Sequence, residues 1–456
     1  IAVMPFVNES GNADVEYLSD GMTETLIKSL SQIPNLNVKP RSSVFRYKGK
    51  DTDLQTIAKE LNVQAILNGR VVQRGDSLTL SLELVDISKD SVIWTESYNR
   101  KQSDLVSLQS EIAKDVSTNL KAKLSGAETA KVTSGYTDNS EAYQLYLKGR
   151  YHWNKRTYED LTKAVDHFKA AIERDDHFAL AYSGLADTYS VLQYYQGSRS
   201  NEFINKAMPY AVRSVELDDQ SAETHSSLAF VNEGSWKWAD AEREYQRALE
   251  LNPNYSSALL RFARFTVRIP KHDEEGLVMI RRAVEIEPSS VVINDNLSQM
   301  YLSQGNVDLA LEQAKKTVEL DPNYSFGWID LAYTQLKQGQ IAEARTSAEK
   351  VAEITKRSSR SLVCLGFVYA KSERLVESEA ILKEIEQRYE NRQADATDVA
   401  ALYAGLGNKD QVFAWLDKAF VDHSSLLVDL RAEYPFAGLL NDARYKDLRE
   451  QMKLPE

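Results

Sequence analysis

The chain has 456 residues, of which 43% are hydrophobic, and a formal net charge of −12 at pH 7. Two or three domains are expected, because a chain of this length exceeds what one hydrophobic core supports. Residues 1–126 carry 15 basic and 16 acidic side chains, whereas residues 127–456 carry 40 and 51, so the acidic excess lies in the second part. This excess argues against non-specific binding of nucleic acid or of an anionic membrane surface.

The single cysteine, Cys364, excludes an internal disulfide and a cysteine-based metal site. It lies in an apolar run, 362–368, which predicts a buried thiol rather than a reactive one. No apolar run approaches the length of a membrane span, and no signal peptide is visible. Because the chain opens inside a predicted strand and lacks an initiator methionine, we expect it to be a fragment with an upstream part missing.

Residues 1–125 are predicted to form a small α+β domain. Residues 1–7 read as a buried strand, and a helix is expected from Ser19-Asp20-Gly21 to about Gln32, with Asp20 as its N-cap. Residues 36–40 are a candidate second strand, and residues 54–61 a short amphipathic helix.

Alternating leucines then mark a sheet with one buried face. They are Leu78, Leu80, Leu82 and Leu84. Turn-forming residues at 74–77 and 88–90 separate three predicted strands, and a helix over 104–124 closes the domain. Residues 126–139 are rich in small and polar residues without helical periodicity, and they are predicted to be a linker.

After the linker, small residues recur with a period close to 34. Residues 222–255 show the pattern through Leu228, Ala229, Ala241, Tyr245, Ala248 and Pro253. The next turn prolines, Pro288 and Pro322, follow 35 and 34 residues further on. This is the tetratricopeptide pattern, in which paired helices pack closely where side chains are small and bury their apolar faces against neighbouring pairs.

The same positions predict about eight tetratricopeptide units over residues 140–420, and an all-α solenoid is therefore expected after the α+β domain. The small residues of the first helices are Gly149, Ala186, Ala229, Ala263, Ser298, Ala332 and Gly366. Residues 421–456 break the pattern and are predicted to form a helical cap on the open end.

The amino-terminal stretch resembles the FlgO-type domain, which is also likened to the TolB amino-terminal domain. Five blocks carry the resemblance: IAVMPF at 1–6, YLSDGMTE at 17–24, SVFRYKG at 43–49, LNGRV at 67–71 and IWTESYNR at 93–100. The stretch YQLYLKGRY at 143–151 and the ending DARY at 442–445 are similar to the repeat half of the same family.

The resemblance implies the sensing or docking region of a bacterial single-pass membrane protein. In that family the cytoplasmic output domain is a serine/threonine kinase, a winged-helix regulator of the CadC type or a nucleotide cyclase. It therefore implies an extracytoplasmic (periplasmic) location, tethered by an upstream transmembrane helix that this chain lacks, with a cytoplasmic location as the alternative. The family supplies no catalytic or cofactor residues that could be carried over.

No catalytic, cofactor or metal site is predicted. The six histidines show no metal-ligand spacing, and His225 occupies a repeat position where packing is expected. No phosphate-binding glycine loop and no nucleophile elbow occurs. Arg41, Arg46, Lys48 and Lys50 form a basic loop, read either as solvated surface or as a contact for phosphate headgroups or an acidic partner.

The concave face of the repeats is the predicted partner-binding groove. Its lining residues are predicted to be Ser226, Phe230, Arg261, Arg264, Arg268, Gln299, Ile329, Tyr333, Val363 and Phe367. Three arginines beside an aromatic and aliphatic strip suit a protein or peptide segment with apolar anchors and one acidic group. The alternative reading, that several of these residues pack between adjacent repeats, is equally supported.

The sequence thus predicts a non-catalytic protein–protein interaction scaffold in a membrane-anchored bacterial signalling protein. The partner is expected to be a protein, not nucleic acid, without direct membrane insertion of this chain. A self-assembling structural protein, built through its repeats or its sheet edge and without a signalling role, is the alternative, and homo-oligomerisation stays open. An enzyme with a site between the domains would need convergent titratable residues near the linker, and the sequence shows none there.

Overall fold

The computed structural model describes residues 1–31, 33, 36–120, 137–196, 201–268, 272–432 and 434–455. The chain divides into two compact units, residues 1–185 and residues 186–456. The fold class predicted from the sequence is confirmed: a small α+β domain precedes an α-helical solenoid. Most of the predicted linker, residues 126–136, lies outside the described residues.

A mixed sheet forms the centre of the α+β domain. Its strands are β1 (Ala2–Val3), β2 (Val7–Asn8), β3 (Ala65–Arg74), β4 (Ser77–Asp86) and β5 (Ser91–Lys101). β1 and β2 each pair in parallel with β3, and β3, β4 and β5 form an antiparallel meander. Pro5 separates β1 from β2, so the single strand predicted over 1–7 is wrong; proline has no N–H to donate to a ladder.

The leucine alternation in β4 is confirmed, since Leu78, Leu80, Leu82 and Leu84 are all buried. The helices of this domain are α1 (Glu16–Ser31), α2 (Arg41–Phe45), α3 (Leu54–Leu61) and α4 (Leu105–Asn119). α1 and α4 share a core with the sheet: Leu18 and Leu26 of α1 and Leu108 and Ile112 of α4 are buried together with the β4 leucines.

Two further predictions for this domain are wrong. α1 begins at Glu16, after a 3-10 turn over Ala13–Val15, so Asp20 lies inside the helix and is not its cap. Asp20 is buried, and its carboxylate accepts from the Lys48 ammonium at 2.5 Å. Residues 36–40 do not form a strand: they hold only two main-chain hydrogen bonds to Ile1, too few for a ladder.

From residue 140 to residue 421 the described residues form eight successive helical pairs. They are α5 (Ser140–Lys155) with α6 (Tyr158–Arg174), α7 (Ala179–Gln196) with α8 (Asn201–Leu217), α9 (Ala222–Gly234) with α10 (Trp238–Leu251), α11 (Ser256–Val267) with α12 (Asp273–Ile286), α13 (Val291–Ser303) with α14 (Val307–Leu320), α15 (Ser325–Lys337) with α16 (Ile341–Ile354), α17 (Ser359–Lys371) with α18 (Leu375–Glu390), and α19 (Ala396–Gly405) with α20 (Lys409–Val421). The first pair belongs to the first compact unit.

Small residues sit where helices approach most closely. A Cβ built on Gly366 would lie 2.5 Å from Leu402 Cδ2 and 2.9 Å from Ile381 Cγ2, so only glycine fits without a shift. Ala229 and Ala263 are likewise completely buried. The period seen in the sequence is therefore the period of helix–helix contact.

The C-terminal segment (residues 424–455) follows the last pair. It contains two 3-10 turns, Ser425–Asp429 and Tyr434–Leu439, and the helix α21 (Ala443–Gln451). The turns pack on α9, α13 and α19, which are first helices of three separate pairs. The segment therefore reaches back along the repeats beyond the last pair that a terminal cap would cover.

Candidate functional site

Three arginines form the polar centre of the second unit. Arg261 and Arg264 lie on α11 and Arg268 follows its last turn, so the spacing of three and four residues puts all three on one face. Tyr194 on α7 and Asp187 on the same helix face this set.

Arg268 is 2% exposed. Its guanidinium pairs with the carboxylates of Glu233 and Asp429, and its Nε donates to the main-chain carbonyl of Val428 at 2.9 Å. A buried guanidinium requires partners for its donors, and two of the three acceptors here come from the C-terminal segment.

The other two arginines are also paired within this unit. Arg261 Nη2 lies 2.9 Å from Asp187 Oδ2, and its Nη1 donates to the Ser226 carbonyl at 3.2 Å. Arg264 Nη2 lies 3.3 Å from Asp429 Oδ1. Burial alone would raise the pKa of Asp429, but the charges of Arg268 and Arg264 outweigh it and hold that pKa below its ordinary value. Asp429 is therefore an ionised carboxylate shared between two arginines.

An aromatic cluster also holds the C-terminal segment. Tyr434 of the C-terminal segment packs on Tyr333 and Phe367, with ring centroids 5.5 and 6.0 Å away. Tyr333 and Phe367 meet edge to face at 5.7 Å. Such contacts add about 0.5–1.5 kcal/mol per pair beyond burial of area.

All ten predicted groove residues belong to the second unit. Seven are buried: Ser226, Phe230, Arg268, Ile329, Tyr333, Val363 and Phe367. Arg261, Arg264 and Gln299 are partly exposed. Four of the ten, Arg264, Arg268, Tyr333 and Phe367, contact the C-terminal segment directly. Partner binding by these residues stays a prediction.

The residues that meet the predicted groove are part of the chain itself. Residues 426–430 read Leu-Leu-Val-Asp-Leu, with Leu427 and Val428 buried in the core of the repeats and Asp429 on the arginines. Apolar anchors with one acidic group are the chemistry that the groove residues predict for a partner. An aspartate inside an apolar run was the available sequence signal, and the sequence reasoning did not use it.

A buried carboxyl pair was also missed. Asp295 on α13 and Asp330 on α15 are 3% and 4% exposed. Tyr324 donates to Asp295 Oδ2 at 3.4 Å and Gln299 donates to Asp330 Oδ1 at 3.2 Å. Burial raises the pKa of Asp295 to about 7, against the opposing hydrogen bond with Asp330. The equivalent positions in the two neighbouring repeats hold the apolar residues Leu260 and Ile329. An aspartate at this position was therefore a signal that the sequence offered.

The basic loop of the first unit is engaged in ion pairs. Arg41 Nε lies 3.0 Å from Glu24, and Arg46 Nη2 lies 2.8 Å from Glu60. Lys48 Nζ lies 2.5 Å from both Glu16 and Asp20. These three cations are compensated by acidic side chains of their own domain, which weakens the reading as a phosphate contact.

His225 packs as the sequence predicts, with Nδ1 at 2.6 Å from Glu244 Oε2. Within the described residues, Asp175, Asp176 and His177 bring three donor atoms within 4.8 Å of one another, on an open surface and without further features of a metal site. No helix in the described parts of the chain is long and apolar enough to cross a membrane.

Two family models match separate parts of the chain. The model for the second domain of HilA/YgeH-like transcriptional regulators matches residues 1–115, and a tetratricopeptide repeat model matches residues 314–346. The protein named "Putative adenylate cyclase 3" of Rhizobium meliloti (strain 1021) is 33% identical over 150 residues. That stretch is 33% of this chain and 26% of the relative, so most of the relative's length lies outside the match.

Among solved structures, a monomeric mutant of IFIT1 with m7Gppp-AAAA is 11% identical and has a TM-score of 0.51, covering 91% of this chain and 96% of that one. PilF of Pseudomonas aeruginosa is 21% identical, with a TM-score of 0.37, and covers 48% of this chain and 94% of that one. At these identities the IFIT1 likeness concerns the fold alone. The tetratricopeptide prediction is confirmed, whereas the FlgO-type resemblance stays a prediction beside the HilA-like match.

Proposed function

We propose that this chain is the recognition region of a bacterial signalling protein, and that it binds a partner segment along the concave surface of its repeats. The partner segment would present two apolar anchors followed by one carboxylate. Arg264 and Arg268 would receive the carboxylate, and Tyr333 and Phe367 would receive an aromatic side chain further along.

The C-terminal segment supports this function more than any other observation. Its two 3-10 turns are held by Arg268, Arg264 and the aromatic cluster, so these side chains already bind a segment of the proposed chemistry in cis. A groove that holds such a segment from its own chain can hold a similar segment of another protein.

The comparisons support the signalling context. One match is to a domain of transcriptional regulators and the other is to a protein whose name is that of a cyclase. We propose on this basis, together with the FlgO-type resemblance, that the region works outside the cytoplasm, tethered by a membrane helix upstream of this chain. Occupancy of the repeats would be transmitted through the amino-terminal domain to an output domain.

A crosslinking capture experiment with three classes of variant tests the binding surface. The first class, Arg264→Ala with Tyr333→Ala, should lose a partner captured by the unaltered chain. The second class, Tyr434→Ala in the C-terminal segment, should capture more of that partner because a competitor is weakened.

The third class is a matched control on second helices, Arg282→Ala with Lys350→Ala. Both side chains are about half exposed; Arg282 contacts Glu285 and Asn254, and Lys350 contacts Glu353. It should leave capture unchanged. Equal capture by all three classes, with each variant folded by circular dichroism, would exclude the concave surface. Protease accessibility of the chain in intact cells and in spheroplasts tests the proposed location separately.

A further inference from the structure

Within the described residues, the last strand of the sheet has one edge without a strand partner. β5 runs for 11 residues and pairs only with β4 among the described parts of the chain. Strands of this length exceed the usual five or six residues. An edge of this kind is a template for pairing with another chain unless it is protected.

Two side-chain hydrogen bonds show which main-chain groups face this open edge. The Ser97 N–H lies 3.2 Å from Glu96 Oε1, and the Asn99 carbonyl accepts from Arg100 Nη1 at 3.0 Å. Across the ladder, Ser97 is opposite Ser81 and Asn99 is opposite Thr79, with side chains in contact at 3.3 and 2.7 Å.

Close side-chain contact between opposed residues is typical of pairs that form no main-chain hydrogen bonds with each other. In such pairs both main-chain groups of the residue turn away from the partner strand. The N–H and C=O groups of Thr95, Ser97 and Asn99 therefore point to the open edge, at every second residue.

A bulge limits the regular part of the edge. The β4–β5 register shifts between Leu84 and Val85, so Trp94 pairs with Leu84 but Val92 pairs with Val85. Ile93 is the extra residue, and the alternation of outward groups breaks there. The part of β5 that can accept a new strand in continuous register is Trp94–Lys101.

Within that stretch, antiparallel pairing with an identical strand allows few registers. Residues whose main-chain N–H and C=O groups face the open edge must lie opposite residues of the same kind in the second strand. A two-fold axis at Glu96 would put Glu96 opposite Glu96, which is unfavourable. An axis at Ser97 would put Glu96 opposite Tyr98 and leave Arg100 opposite Trp94. An axis at Tyr98 puts Glu96 opposite Arg100 twice, and Ser97 opposite Asn99.

We propose that β5 is a self-association surface, at which a second copy of this chain adds its own β5 in antiparallel register about Tyr98. In the isolated chain, Glu96 accepts from the Ser97 N–H, while Arg100 donates to the Asn99 carbonyl through Nη1 and pairs with Glu111 of α4 through Nη2 at 2.9 Å. On pairing, main-chain bonds from the second copy replace the contacts of Glu96 and Arg100 with the main chain, and Glu96 joins the Arg100–Glu111 pair of the second copy across the interface. Both side chains lie on the same face of the sheet, since their positions differ by four.

This inference is independent of the proposed partner groove, since it concerns only the amino-terminal domain. It does not require the repeats to bind anything. An extended strand of a different protein on the same edge is the competing occupant, and it would lack the exchange symmetry of the Glu96 and Arg100 pairs.

A charge-swap series on the full chain distinguishes these outcomes. Sedimentation velocity over a concentration series gives the dimer dissociation constant of the unaltered chain. Glu96→Lys or Arg100→Glu alone turns both symmetric pairs into like-charge pairs and should weaken the dimer about tenfold or more. The double variant carrying both changes should return to within about threefold of the unaltered chain.

Lys101→Glu is the matched control, because it changes charge equally but faces Thr95 of the second copy in this register; it should change the constant less than about threefold. A chain that stays monomeric at every concentration overturns the inference, as does a dimer that is insensitive to Glu96→Lys or is not rescued by the double variant.

A disulfide trap provides a readout that does not depend on the charge variants folding. Ser97→Cys with Asn99→Cys places opposed cysteines on a main-chain-bonded pair, about 5.5 Å apart between Cα atoms, within disulfide reach. A covalent dimer that forms with the double cysteine variant but not with Ser97→Cys alone is expected. Failure of the double variant to form one contradicts the register.

Discussion

Replacing Asp295 by asparagine should make the protein more stable at neutral and alkaline pH. Asp295 and Asp330 are nearly inaccessible to solvent, at 3% and 4% exposed, and share one buried site. Asparagine keeps the shape and the acceptor for the Tyr324 hydroxyl while removing the charge that burial penalises. The effect should therefore depend strongly on pH.

The raised pKa of Asp295 determines both the sign and the size of this change in stability. Burial raises this pKa from the ordinary 3.8 to about 7. A folded state that binds its proton more tightly than the unfolded state loses stability as pH rises between these two values. The stabilising contribution of the protonated carboxyl is fully present below about pH 4, and it is lost as the pH rises to about 7. Three pH units correspond to about 4 kcal/mol, which is the upper bound for the loss.

Equilibrium denaturation followed by circular dichroism, from pH 5 to pH 8.5, measures this difference. The stability of Asp295→Asn minus that of the unaltered chain should grow with pH and level off above pH 7.

Asp417→Asn, an exposed carboxylate on α20, is the control and should leave the pH profile unchanged. An Asp295→Asn variant that is destabilised by the same amount at every pH would refute the reasoning. It would mean that the carboxyl acts only through its packing and hydrogen bonds.

Other predictions concern single sites. Arg268→Met leaves the buried Glu233 without its cation and Asp429 with Arg264 alone, and it should lower the free energy of unfolding by about 3–5 kcal/mol in urea denaturation. The exposed Arg243→Met should cost less than about 0.5 kcal/mol in the same assay. Gly366→Ala should cost about 1–3 kcal/mol, because its Cβ meets Leu402 at 2.5 Å, and Gly438→Ala, with nothing within 4 Å, should cost far less in the same assay. The buried Cys364 thiol should react with a disulfide reagent only as fast as the chain unfolds.

The repeats could be predicted from the sequence because their cause is local and periodic. Alanine at 229 and 263 and glycine at 366 mark helix contacts that recur every 34 or so residues, and the structure buries all three. The alternating leucines of β4 were equally readable, since one face of the sheet is buried. In each case one short window contains the whole physical signal.

The start of α1 and the contacts of the groove residues could not be predicted so directly. Aspartate is a residue type that commonly caps helices, which is why Asp20 was predicted as the cap. Asn12 instead makes the capping hydrogen bond of the preceding 3-10 turn, and the helix has already begun at Glu16. Arg268 meets Asp429 across 161 positions of sequence. No periodicity links two such residues, so a pairing of this kind appears only when the chain is folded.

The C-terminal segment changes how affinity for a partner must be understood. If a partner carboxylate is to reach Arg268, Asp429 must leave it, and breaking one side of a buried ion pair costs about 3–5 kcal/mol. The apparent affinity of the partner is then lower than its intrinsic affinity by the fraction of molecules in which the segment is released, on the order of a hundredfold to a thousandfold. Substitutions in the segment, such as Tyr434→Ala, should therefore lower thermal stability and raise partner affinity together. Substitutions in the groove, such as Tyr333→Ala, should lower both. The opposite sign of the two affinity changes separates a groove that recognises partners from a core that merely contains the same residues.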